Sequence, residues 1–114
     1  MDSQEFVDAI KLVVRDAAVS GTLRVLQQVP GRRPTAEVTE NSVWYQSLND
    51  QQRARLSSIV RHAGDQAVFG FLCVMDGVRA IENGKEKGHL ELLHIKDKAT
   101  ILNPSDGPML HDLY

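Results

Sequence analysis

Asp76 and Arg79 stand one helical turn apart inside GFLCVMDGVRAIE, residues 70 to 82, in the most apolar part of the chain. An aspartate and an arginine at that spacing can bridge within a helix, a contact worth only about 0.2 to 0.5 kcal/mol on a wet surface. Burial changes the balance. Each ion then loses hydration, and the pair is tolerable only if Arg79's remaining donors find carbonyls or a further carboxylate such as Glu82 or Asp65. The first expectation is therefore a satisfied structural pair. The alternative is a ligand-binding pocket or small active site, in which Trp44, Asp65, Asp76 and Arg79 converge against an apolar wall. Gly70 and Gly77 favour the structural reading, because each costs about 1 kcal/mol in a helix interior and so implies close approach of another backbone.

The remaining reactive side chains form no recognisable constellation. His62, His89, His94 and His111 include no pair at the i, i+4 helix spacing, and His89 and His94 differ by an odd number, so they cannot share a strand face with Glu91 between them. These are expected to be surface histidines, with no metal site. Cys73 lies among Phe69, Leu72 and Val74, where a thiol reads as a small buried hydrophobe. As the only cysteine it excludes an internal disulfide and suits a reducing compartment. No nucleophile elbow, P-loop or dinucleotide fingerprint occurs, and no cofactor is implied. Arg32 and Arg33 in GRRPT, with Lys85 and Lys87 in NGKEKG, form exposed basic loops suited to meeting a protein partner.

The elements that must position these residues follow from length and pattern. A chain of 114 residues, 42% hydrophobic and 25% charged, suits one domain with a core of its own. A net charge of −2 argues against nucleic acid as a partner. The acidic start MDSQEF precedes no long apolar run, so neither a secretory signal nor a membrane span is expected, and the location reads as cytoplasmic. The fold class is mainly α with a small β component: four or so packed helices, over about 3–28, 36–47, 50–63 and 65–83, and a C-terminal antiparallel hairpin over about 89–103. Asp2 with Glu5, and Asn49 with Gln52, have capping-box spacing, and Thr35 can cap between them. Phe6, Ile10, Val13, Val14 and Ala17 form the apolar stripe of the first helix. Trp44 is expected to anchor the second helix to the core, and Leu56, Ile59 and Val60 to face inward from the third.

Gly64 marks a break or weak point between the third and fourth helices, and Asn83 with Gly84 suits a left-handed helix end. Along the fourth helix Ala67, Phe71, Val74, Val78 and Ile81 read as the core stripe. Asp65, Phe69, Leu72, Asp76, Arg79 and Asn83 fall on the opposite side, which is too apolar to face water and must also be covered. The hairpin needs a helix to lie on. The closing MLHDLY can form one helical turn whose Leu110, Leu113 and Tyr114 pack back.

The run AVFGFLCVMDGVRAIENG, with GTLRVLQQVPGRRP, VWYQSLNDQQR and the terminal LHDLY, resembles a group of small uncharacterised bacterial proteins associated with polymorphic-toxin immunity genes. The resemblance spans most of the chain and includes no catalytic motif. It implies a non-enzymatic interaction module that binds and neutralises a toxin domain inside the producing cell.

Overall fold

The computed structural model describes residues 1–114. In chain order the elements are α1 (Ser3–Ile10), a π-helical segment (Lys11–Asp16), α2 (Ala17–Gln27), α3 (Ala36–Gln46), α4 (Asp50–Met75), β1 (Leu93–Lys96), β2 (Lys98–Ile101) and α5 (Leu110–Leu113). The protein is thus mainly helical, with one antiparallel hairpin near its C-terminal end. Two compact units divide the chain, residues 1–14 with 66–114 and residues 15–65. No helix is long and apolar enough to cross a membrane.

Helix starts follow local capping chemistry. The Asp2 carboxylate accepts from Glu5 N at 2.8 Å while Glu5 accepts from Asp2 N at 2.8 Å, closing the box that opens α1. Asn49 and Gln52 do the same for α4, at 2.8 and 2.9 Å. Thr35 Oγ1 accepts from Val38 N at 3.2 Å ahead of α3.

Helix ends and faces depart from the sequence pattern. Gly64 does not break α4, which runs unbroken from Asp50 to Met75. At Gly64 a side chain would meet Val19 Cγ2 at 3.0 Å and approach the Arg15 carbonyl, so the glycine serves close helix packing. The same helix stops eight residues earlier than expected. Gly77 takes a φ of +75°, Val78 N donates to Cys73 O at 3.0 Å and Gly77 N to Val74 O at 3.1 Å, which together make a Schellman end. Gly77 is therefore a terminator, while Gly70 is approached by the Arg79 guanidinium rather than by another backbone. In the first helix the π-segment accommodates extra residues per turn and shifts the face. Val7 is buried, whereas Leu12, Val13 and Val14 are exposed, so the expected stripe fails beyond Ile10.

In the unit of residues 1–14 and 66–114, the core is a cluster of Val7, Leu72 and Leu110, with Phe6, Val68, Met75, Leu92, Leu113 and Tyr114 packed around it. The two faces of α4 are reversed from the expected order. Leu72 and Cys73 are buried and Phe69 is half-buried, whereas Ala67 and Phe71 on the supposed core stripe are exposed, as are Val78 and Ile81 beyond the helix end. The apolar residues of the second stripe are what α1 and α5 cover. α1 packs on α5, and Ser3 Oγ donates to Leu102 O at 2.6 Å. Asn103 ties three segments together: Nδ2 donates to Met75 O at 2.8 Å and Leu90 O at 2.9 Å, and Oδ1 accepts from Leu92 N at 2.8 Å.

The unit of residues 15–65 packs α2 on α3. Its buried side chains are Ser42, whose Oγ donates to Leu26 O at 2.9 Å, and Tyr45. Trp44, expected in the core, is 54% exposed, and Ile59 is also exposed. Neighbours in sequence lie about 100° apart on a helix, so burying Tyr45 turns Trp44 outward.

Asn103→Ala should lower stability by about 2 to 4 kcal/mol, three hydrogen bonds at roughly 1 kcal/mol each with the partly buried Leu92 N–H left without its acceptor. Urea midpoints measure this, and a loss under about 0.5 kcal/mol would show that the three segments hold together without the amide.

Candidate functional site

Asp76 is the C-cap residue of α4, held there by the Gly77 turn, and its carboxylate reaches the start of α5. A four-residue helix leaves its first N–H groups without partners of their own, and Met109 at its N-cap supplies no side-chain acceptor. Asp76 supplies one from elsewhere in the unit. Its Oδ1 accepts from Leu110 N at 3.0 Å and its Oδ2 from His111 N at 2.8 Å. His111 Nδ1 lies 2.7 Å from the same Oδ2. A carboxylate oxygen in this contact accepts, so Nδ1 is the donating nitrogen of the ring. Only 2% of the Asp76 side chain and 17% of the His111 side chain are exposed.

An aromatic shell closes around this contact. Phe69 meets the His111 ring edge-on, with centroids 5.9 Å apart, and lies 6.1 Å from Tyr114. Lys11 Nζ stands 5.7 Å over the Tyr114 ring and donates to Leu113 O at 3.4 Å, where a cation suits a helix C-terminus. His111 Nε2 is 3.4 Å from Asp112 Oδ1. This arrangement fastens the C-terminal turn.

The expected Asp76–Arg79 pair does not form. Arg79 lies beyond the helix end, exposed, with its guanidinium across Gly70. It lines a cavity of about 190 Å³ with Glu82, Lys87 and His89, in a loop closed by Gly88 N donating to Glu82 Oε2 at 2.8 Å. Lys85 lies exposed in the same loop. His111, read as a surface histidine, is instead the principal side-chain partner of Asp76.

Trp44 and Asp65 belong to the other unit and line different cavities. Asp65 is 3.6 Å from Arg15 Nη1, in a cavity of about 550 Å³ that Arg61 and His62 also line. Trp44 lines a groove of about 410 Å³ with Leu48, Arg55, Leu56 and Ile59. The four residues proposed as one pocket are thus distributed over three cavities and one buried contact. Arg32 and Arg33 are exposed in their loop, where Arg33 takes a φ of +43°.

A surface that residue spacing did not single out lies on the hairpin. Its register pairs Leu93 with Ile101 and Ile95 with Ala99, so these four side chains share one face. All four are exposed, Ile95 at 73%. The other face carries His94 and Thr100, both half-buried, and is flanked by Leu92, packed on the core, and Leu102, buried. Comparison with family models, curated proteins and solved structures finds no match to this chain.

Asp76→Ala should cost about 3 to 5 kcal/mol, because it strands two N–H donors and a partly buried imidazole. Arg79→Met should cost under about 0.5 kcal/mol. A double-mutant cycle separates the two partners: Asp76 should couple to His111 by at least about 0.5 kcal/mol and to Arg79 negligibly. The reverse ranking would restore the Asp76–Arg79 pair.

Proposed function

We propose that this chain acts by binding another protein, and that the outer face of the β1–β2 hairpin is its contact surface. One observation supports the reading: the hairpin strands alternate apolar with polar, and their apolar face is the one left exposed. Antiparallel strands that keep one face in water turn their apolar side chains to the core, whereas here Leu93, Ile95, Ala99 and Ile101 point outward, and the flanking Leu92 and Leu102 turn to the core. An apolar strand face left in water suits cover by a further layer. A partner supplies that layer. The charged face is kept away from this contact, since Lys96 and Lys98 belong to the side that carries His94 and Thr100.

A catalytic or small-ligand role centred on Asp76 finds less support, because its oxygens are engaged by α5 and almost none of its side chain is accessible. The finer reading, an immunity-type protein that neutralises a toxin domain inside the producing cell, draws on the resemblance of residues 21–34, 43–53, 67–84 and 110–114 to that group. The basic residues Arg32, Arg33, Lys85 and Lys87 then serve as charges that guide encounter.

Ile95→Asp tests the hairpin. Its urea midpoint should correspond to a change within about 0.5 kcal/mol, while a partner retained from lysate of the encoding cells by immobilised wild-type chain and by Arg79→Met should be lost. Retention of that partner by a folded Ile95→Asp chain would remove the hairpin from the interface. A large loss of stability would place Ile95 in the protein's own core. With the partner identified, Arg32→Glu combined with Arg33→Glu should slow association and leave dissociation nearly unchanged. Unchanged association kinetics would take that loop out of the encounter.

A further inference from the structure

We infer that the groove between the end of α3 and the first turns of α4 is a second docking site, shaped for an amphipathic helix of a protein partner that sets an aspartate or glutamate against Arg55. The inference rests on reading the chain as an interaction module, but it concerns a surface separate from the hairpin. The groove is lined by Trp44, Leu48, Leu56 and Ile59 with Gln51, Gln52 and Arg55, and has a volume of about 410 Å³. Trp44 and Ile59, two of the largest apolar side chains of this unit, are both more than half exposed on it. Tryptophan and arginine are the residue types that most often carry binding energy at protein interfaces.

The walls are held before any partner arrives. Arg53 donates from Nε to Tyr45 O at 3.3 Å and from Nη2 to Gln46 O at 3.1 Å, and its guanidinium stacks 4.8 Å from the Tyr45 ring. The Asn49–Gln52 capping box fixes the turn between the helices. A preorganised groove loses less entropy on binding.

Arg55 follows Arg53 by two residues and so points to nearly the opposite side of α4. Arg53 is engaged by the fold, whereas Arg55 is exposed and has no ion pair. It is the only charged side chain lining the groove, and the depression on its other side is lined by Gln51, Ala54 and Ser58, none of them charged. An apolar trough with one unpaired cation complements an apolar ligand face that bears a carboxylate. The groove walls are helices without a free strand edge, and Gln52, Arg55, Leu56 and Ile59 recur at the three- and four-residue spacing of a helix ridge. This shape accepts another helix, not an added strand.

Trp44 is the only tryptophan in the chain, so its emission reports directly on occupancy. A phage-displayed library of helix-stabilised 16-residue peptides, selected on the full chain, supplies the probe. The selected peptides should show apolar residues at i, i+4 and i+7 with a neighbouring aspartate or glutamate. Their synthetic forms should shift Trp44 emission to the blue and lose about tenfold or more in affinity on Trp44→Ala. Selection on Arg55→Glu should exchange the acidic residue for lysine or arginine.

No enrichment, peptides indifferent to Trp44→Ala, or peptides without an acidic preference would overturn the inference. So would a concentration-dependent dimer dissociated by Trp44→Ala, since the occupant would then be a second copy of this chain. Ile95→Asp should leave peptide affinity unchanged. Loss of partner capture by that variant with no peptide selected would sink the groove alone, and selected peptides with capture indifferent to Ile95→Asp would sink the hairpin reading alone.

Discussion

The carboxylate of Asp76 holds the C-terminal turn in place, and the small core of its unit depends on that turn. Leu110, one of three fully buried side chains in the cluster, enters the core from a four-residue helix. A helix that short has little stability of its own, since nucleation costs more than so few hydrogen bonds return. Asp76 accepts the first N–H groups of the turn and a ring nitrogen of its histidine, so one ionised side chain does the work of a distant N-cap. The contact also explains why an aspartate occupies the buried side of α4. Its charge is acceptable there because three donors meet it.

That anchorage extends to the hairpin. Leu92 and Leu102, which flank the two strands, pack into or beside the cluster that Leu110 completes, and Asn103 joins the hairpin to the end of α4. The inner face is therefore secured from one end, and the outer face is left as an exposed apolar surface with open strand edges. Exposed edges and apolar faces of this kind are aggregation hazards unless another chain covers them. The interaction reading accounts for a feature that would otherwise be a liability. In the other unit the equivalent surface is a groove: Arg53 and Tyr45 brace its helices from behind, and Trp44 is turned outward.

What the sequence determined by itself is local. The capping boxes at Asp2 and Asn49, the Thr35 cap and the single hairpin all depend on groups within a few residues of one another, so residue type and spacing suffice to predict them. The inward packing of Leu110, Leu113 and Tyr114 was legible from the single helical turn that MLHDLY can form. Tertiary structure decided the rest. Gly77 and Gly84 are both possible helix stops, and apolar spacing at Val78 and Ile81 favoured the later one. The earlier stop wins because it delivers Asp76 to α5, a gain that depends on residues 34 and 35 positions away. The same long-range contact reverses the faces of α4 and replaces Arg79 with His111 as the partner of Asp76. Periodicity identifies two stripes on a helix but cannot say which one a neighbour will cover, because burial is a property of the pair of surfaces and not of either alone.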